Sequence, residues 1–368
     1  MCVSSFRRSR CPSQFAPTVQ QRPKYAALFG HPHQGYQHDF PTRVDEFTRR
    51  ARLSECSLDL ALRHTLLPFY LPLRSEAESE AAVLALAIPQ PGVLKFRLGI
   101  LTSLFRANHP LKACPHCIAA EFRSHGTGCW HVEHQLTGVW FCRQHGVVLK
   151  TSRLKSSGVA RFGWLLPTSD HLDDIAAPTE QTMTNDVLSR FADLDSRWAS
   201  QPFKTYLPAD RLAHIYHGAL GPRDWQLSLS SRGMWSIAPD FCAAVAPLRQ
   251  VPELSALLAT AQRASALLDR CIRRPRGGTH PLNHLAIIYW LFSSWDAFSN
   301  RHLTESAPVP AAAALEVQAL QVPFDSRPAA LSKLLAQGHS ITAAARQVGV
   351  DSQIVADASG AETTRKNP

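Results

Sequence analysis

Two short motifs hold the densest coordination chemistry in the sequence. Cys114-Pro115-His116-Cys117 is followed, after 24 intervening residues, by Cys142-Arg143-Gln144-His145. Each motif carries two donors separated by two residues, the spacing of a knuckle that offers both to one ion. Three thiolates and one imidazole, from Cys114, Cys117, Cys142 and His145, match tetrahedral zinc, Zn(2+), and leave no open coordination position. A closed site of this kind is structural, which argues against metal-activated hydrolysis. Pro115 and the turn after it are placed to aim backbone N–H groups at the sulfurs. Cys129, His131 and His134 lie between the motifs as rival ligands with less regular spacing. His116 is expected to point away from the ion.

The remaining sequence must build elements that bring the two motifs together. Nine Cys in 368 residues are too sparse for a disulfide scaffold, and Cys2, Cys11, Cys56, Cys129, Cys242 and Cys271 show no pairing pattern. Thiolate ligands beside unpaired Cys fit a reducing cytosol. With 45% apolar and 18% charged residues the chain can bury a sizeable core. The longest apolar run, Leu285–Phe292, falls far short of the ~20 residues of a membrane span. The net charge of +10 is segregated: residues 1–165 carry 21 Lys/Arg against 10 Asp/Glu, and residues 166–368 carry 18 against 19. A front half this basic points to a polyanion, with double-stranded DNA the expected partner.

The expected fold class is mainly α and multidomain, with helical domains, an inserted small zinc-binding module of short strands and a C-terminal helix-turn-helix. Residues 1–24, which contain no acid, read as a basic disordered leader. Residues 25–110 form an N-terminal helical region. A helix beginning at Ser57 is expected to stop before Leu67-Pro68, because a residue preceding Pro leaves the helical region; another spans Glu76–Ile88. Residues 111–165 form the zinc module, a unit of turns and short strands with a hairpin around Thr137-Gly138. Residues 166–303 form a second helical region. In it an acidic connector carries one helix near Asn185–Ala199, and two longer helices span Pro252–Arg274 and Pro281–Phe298. A linker occupies 304–327. His31, His33 and His38 read as an exposed loop.

Residues 328–360 have helix-turn-helix spacing. Gly349 supplies the turn, Val350 and Val355 face the core, and Asp351 caps a second helix. Thr342, Ser352 and Gln353 are the candidate DNA contacts of this unit, and Lys112 and Arg143 those of the zinc module. The second helix lacks Arg and Lys, so its phosphate affinity should be weak. The sequence contains no phosphate loop, dinucleotide-binding glycine fingerprint, nucleophile elbow or His-Glu-x-x-His motif. The expectation is a non-catalytic protein with no catalytic residues.

Three stretches together resemble a known zinc module. They are Cys114-Pro-His-Cys117, then Cys129-Trp-His-Val-Glu-His-Gln-Leu-Thr-Gly-Val139, then Cys142-Arg-Gln-His-Gly-Val-Val-Leu149. The resemblance is to the TniQ/TnsD family of bacterial transposon target-selection proteins. His64-Thr-Leu-Leu-Pro-Phe-Tyr70, Gly99-Ile100 and Thr279–Phe292 resemble TnsD-type members, whereas Met1–Arg22 does not match the family's opening segment. The resemblance implies zinc on Cys114, Cys117, Cys142 and His145 and no catalysis. It implies a protein that recognises DNA, recruits an AAA+ ATPase regulator and, through it, the transposase. The alternatives are a non-DNA-binding adaptor in a targeting complex and a zinc-containing transcriptional regulator.

Overall fold

The computed structural model describes residues 21–32, 37–87, 93–105, 110–152, 165–174, 181–257 and 260–304, with isolated positions between 330 and 348. Among these the chain is mainly helical with a few short strands. The front region runs α1 (Gln21–Phe29), α2 (Val44–Ala51), α3 (Ser57–His64), α4 (Leu67–Tyr70), α5 (Glu76–Ala87) and α6 (Val93–Arg97). Helix α1 takes in residues 21–24, which the sequence reading gave to a disordered leader; residues 1–20 lie outside the described residues. Local chemistry sets these helix ends. Asp45 and Glu46 open α2 and Arg49 and Arg50 close it, matching the helix dipole. Cys56 and Asp59 form a capping box on α3, and Ser75 with Glu78 does the same for α5. As expected, α3 stops before Leu67-Pro68, and Pro68 then sits in the first turn of α4, where a missing N–H costs nothing.

The middle region departs from the expected module of turns and strands. It contains β1 (Lys112–Ala113), then an eleven-residue helix α7 (Pro115–His125) and a single turn α8 (Val132–Gln135). Strands β2 (Phe141–Cys142) and β3 (Val147–Val148) pair antiparallel, and β4 (Lys150–Ser152) lies between β1 and β5 (Leu172–Asp173). The hairpin therefore forms around the second knuckle, not around Thr137-Gly138. Near Thr137-Gly138 the polar backbone is already engaged elsewhere. The Gly138 N–H goes to Asp195, and the carbonyls of Leu136 and Val139 accept from Lys112.

The rear region comprises α9 (Gln181–Ala199), α10 (Ala209–Ala219), α11 (Pro222–Ser228), α12 (Ser231–Val245), α13 (Ala261–Leu268), α14 (Pro281–Phe292) and α15 (Trp295–Thr304). Helix α9 is no connector. Leu188, Phe191, Ala192, Leu194 and Trp198 form a fully buried stripe packed against α4, β2, α14 and α15. The helix expected over Pro252–Arg274 is interrupted: a 3-10 turn at Pro252–Leu254 precedes α13, and a π-turn at Asp269–Arg273 follows it. The Thr260 side chain accepts from the Arg263 N–H, and this cap starts α13 afresh. The apolar stripe is still used, since Leu254, Leu257, Ala264 and Leu268 are all fully buried. Likewise Pro281–Phe298 is two helices. Ser293 takes a left-handed backbone at φ 60° and Ser294 caps α15.

One hydrophobic core runs from Phe40 to Phe298 and draws on all three regions. His64–Tyr70 and Thr279–Phe292 meet in it, with the Tyr70 ring edge-on to His280 at 5.5 Å, and the Trp198 indole of α9 donates to the Phe69 carbonyl at 2.9 Å. No described helix is long and apolar enough to cross a membrane. Of the C-terminal unit, Ala344 and Val348 are buried one helical turn apart, while Thr342, Ser352 and Gln353 lie outside the described residues.

His284 of α14 is buried against the Tyr216 hydroxyl at 3.1 Å. Burial brings its pKa down to about 4, below the ordinary 6.5, so the neutral ring is the native form. A depressed folded-state pKa gives stability that is present above pH 6.5 and lost as pH falls toward 4. Between pH 7 and pH 5 this loss is about 2 kcal/mol. Urea unfolding at the two pH values should show that component in the wild type and not in His284→Gln.

Candidate metal centre

The two knuckles are built differently and converge. Cys114 is the N-cap of α7 and Cys117 lies in its first turn, so both sulfurs sit at a helix N-terminus, where partial positive charge favours thiolates. The backbone amides of His116 and Cys117 reach the Cys114 sulfur. The second knuckle is the turn of the β2–β3 hairpin. The Gly146 N–H closes it onto the Cys142 carbonyl at 2.8 Å, with Gly146 left-handed at φ 64°. That conformation suits glycine.

The ligand atoms of Cys114, Cys117, Cys142 and His145 all lie within 4.8 Å of one another. Cys117 Sγ is 3.7 Å from Cys142 Sγ, and His145 Nδ1 is 3.7, 3.3 and 3.6 Å from the sulfurs of Cys114, Cys117 and Cys142. A zinc tetrahedron with Zn–S near 2.3 Å and Zn–N near 2.0 Å has edges of about 3.5–3.8 Å. The donor set and its spacing therefore fit a tetrahedral ion, and 3.7 Å is far too long for a disulfide, which needs about 2.05 Å. Burial raises the Cys114 and Cys117 thiols, and the Cys142 sulfur beside them raises them further. A bound cation would reverse that preference and hold all three as thiolates.

The rivals fall elsewhere. His131 pairs with Glu121 at 3.0 Å and lies against His134, the two rings tilted with centroids 4.8 Å apart. The Cys129 N–H donates to Glu121 at 2.5 Å. None of the three joins the four-donor group. His116 is exposed and lies outside the group, its ring 5.6 Å from that of His145.

Lys112, expected as a DNA contact, lies in the interior. It is 1% exposed, and its Nζ donates to the Leu136 and Val139 carbonyls at 2.8 Å while lying 4.6 Å from the Trp140 ring centroid. Burial lowers its pKa to about 8, offset by the Glu253 and Asp195 charges. Arg143 is half-exposed on the second knuckle and pairs with Asp193 at 3.0 Å and Glu133 at 3.7 Å.

Asp195, which the sequence reading passed over, is fully buried on α9 and accepts from the Gly138 N–H at 2.6 Å. Burial pushes it up to about 7, against the pull of that N–H and of Lys112. A Cβ on Gly138 would lie 2.4 Å from Asp195 Oδ2 and 2.7 Å from the Phe191 ring, so only glycine lets α9 approach this closely. The signal was legible: a lone acid within the apolar stripe of α9.

Residues 19–149 match the TniQ family model. All four donors fall inside that match. A 115-residue stretch, 31% of this chain, is 24% identical to transposon Tn7 transposition protein TnsD of Escherichia coli. The match spans 22% of that relative's length. The chain is thus TniQ/TnsD-like.

Cys117→Ser should abolish tight metal binding and unfold the middle region, because the binding energy of such an ion is folding energy. Mass-spectrometric metal content and limited proteolysis check this. Gly138→Ala should destabilise the fold by about 1–3 kcal/mol in denaturant unfolding through overpacking alone, with the metal content unchanged.

Proposed function

We propose that this chain is a target-selection factor of a bacterial transposon, which binds double-stranded DNA and passes the choice of site to the transposition machinery. The observation that carries the reading is the four-donor cluster inside the TniQ match, held against a helical body by Gly138 and Asp195. In this reading Cys114, Cys117, Cys142 and His145 hold Zn(2+). The ion supplies folding energy and no reaction. Helix α7 and the β2–β3 hairpin fix the donors, and α9 carries their orientation into the body. The chain is not an enzyme. Its partners are the DNA duplex, an AAA+ ATPase regulator and, through it, the transposase. On the DNA side the reading keeps Arg143, whose half-exposed guanidinium can exchange its carboxylate partners for phosphate. It also keeps Thr342, Ser352 and Gln353 of the C-terminal unit.

The test is an insertion assay in cells carrying the element, with insertion sites mapped by sequencing. Deletion of the gene, or Cys114→Ser, should scatter or abolish insertions at the preferred site. An unchanged insertion pattern after deletion contradicts the reading.

A further inference from the structure

The sequence concentrates positive charge in residues 1–165, yet several of those cations among the described residues are already paired in the fold. Arg49 and Arg50 pair with Glu46, Arg63 with Glu55 and Asp59, Lys95 with Asp39, and Lys150 with Asp174. Lys112 is buried. The rear region, formally near neutral, pairs Arg190, Arg197, Lys204 and Arg273 with acids but leaves other arginines open. Arg223, Arg232, Arg270, Arg274 and Arg276 are exposed and make no ion pair among the described residues.

Arg232 lies in the first turn of α12, Arg270 in the π-turn, and Arg274 and Arg276 just after it. Helices α11 and α12 are joined by two residues, Leu229 and Ser230, and the Ser230 side chain caps α12. A Cβ on Gly233 would fall 1.8 Å from the Leu227 carbonyl oxygen, so the backbones of the two helices are pressed together and their angle is fixed. The first turn of α12 is tied to the π-turn: Arg273 donates to Ser231 Oγ at 2.7 Å, and Ser231 Oγ lies 3.4 Å from Asp269. Arg232 thus follows directly on the residue that anchors α12 to the Asp269–Arg273 turn, which Arg274 and Arg276 continue in sequence. Asp269 is occupied by Arg273, and the other acids of α11 and α12 are Asp224 and, more than two turns from the Ser230 cap, Asp240. Trp225, Leu229 and Trp235 are about half exposed on the same unit, Trp235 at 51%.

We infer that the α11–turn–α12 unit, with Arg232, Arg274 and Arg276, is a surface that contacts the DNA duplex. This rests on the DNA-binding reading above and names the face that does the binding. Unpaired guanidinium groups grouped around a rigidly braced helix start fit phosphates on both sides of a groove. Ser231, Arg232, Trp235 and Ser236 form the outward face of the first turns of α12. They can offer hydrogen bonds and apolar contact to base edges, as a helix lying in the major groove does. The uncompensated positive charge favours a polyanion over an apolar protein partner.

The experiment is fluorescence anisotropy of the full chain on an end-labelled random-sequence duplex of about 40 base pairs, titrated across salt. The wild type should bind with an affinity that falls linearly in log salt. Arg232→Gln and the pair Arg274→Gln/Arg276→Gln should each weaken binding at low salt. Combined, they should reduce the salt slope by about 3. Trp235→Ala should weaken binding without changing the slope. Thermal melts should be unaltered, since all these side chains are exposed. Binding that survives all the substitutions with an unchanged slope overturns this surface and leaves the DNA-binding reading standing. No duplex binding by the wild type overturns both.

Discussion

Three thiols and an imidazole gathered at one point are the constraint on which the middle of this protein depends. Leu136, Val139, Trp140 and Leu149 of this region join the main core, while Leu111, Ala113, Ile118 and Trp130 form a small cluster of their own. Four side chains are too little apolar surface to fix how α7 and the β2–β3 hairpin sit on each other. The donors supply the missing restraint. They come from a helix start and a hairpin turn, two elements with fixed internal geometry, so their convergence fixes how those elements sit on each other.

A second restraint joins this region to the helical body. Asp195 and Lys112 are both buried, and each bonds to backbone groups of the segment between the knuckles. Buried charges are expensive unless they are hydrogen-bonded. Here the ammonium has two carbonyls and an indole face, whereas the Asp195 carboxyl has the Gly138 amide on one oxygen and no partner on the other. The cost is offset by geometry: the Leu136–Val139 backbone is held from both sides, and Phe191 closes over it. Orientation set at the donors is thereby passed to α9 and to the core that α9 shares with α4 and α14.

Much of this was readable from residue types and spacing. The ligand motifs announced themselves, because two donors two residues apart have few other uses at such density. Helices α5 and α9 were visible from acids in a first turn and from apolar periodicity. What escaped lay in competition between local and tertiary partners. Thr137-Gly138 has hairpin chemistry, but its amide is taken by an acid 57 residues away. Lys112 looked like a surface cation, and only the packing of Trp140 and two inward carbonyls makes it an interior one. The serine pair Ser293-Ser294 split a helix whose apolar pattern continues through the break. Charge counting misled most, since it cannot see which cations are paired. Among the described residues, cations of the basic front half such as Arg49, Arg50, Arg63 and Lys95 are paired, whereas Arg232, Arg274 and Arg276 of the near-neutral rear half are exposed and make no ion pair.

The central claim is that these four side chains ligate one ion in a closed tetrahedron. X-ray absorption at the zinc edge of the purified protein measures it directly. The account predicts one zinc per chain surrounded by three sulfurs at about 2.3 Å and one nitrogen at about 2.0 Å. A coordination shell made only of nitrogen and oxygen, or protein that folds with no bound metal, would contradict it.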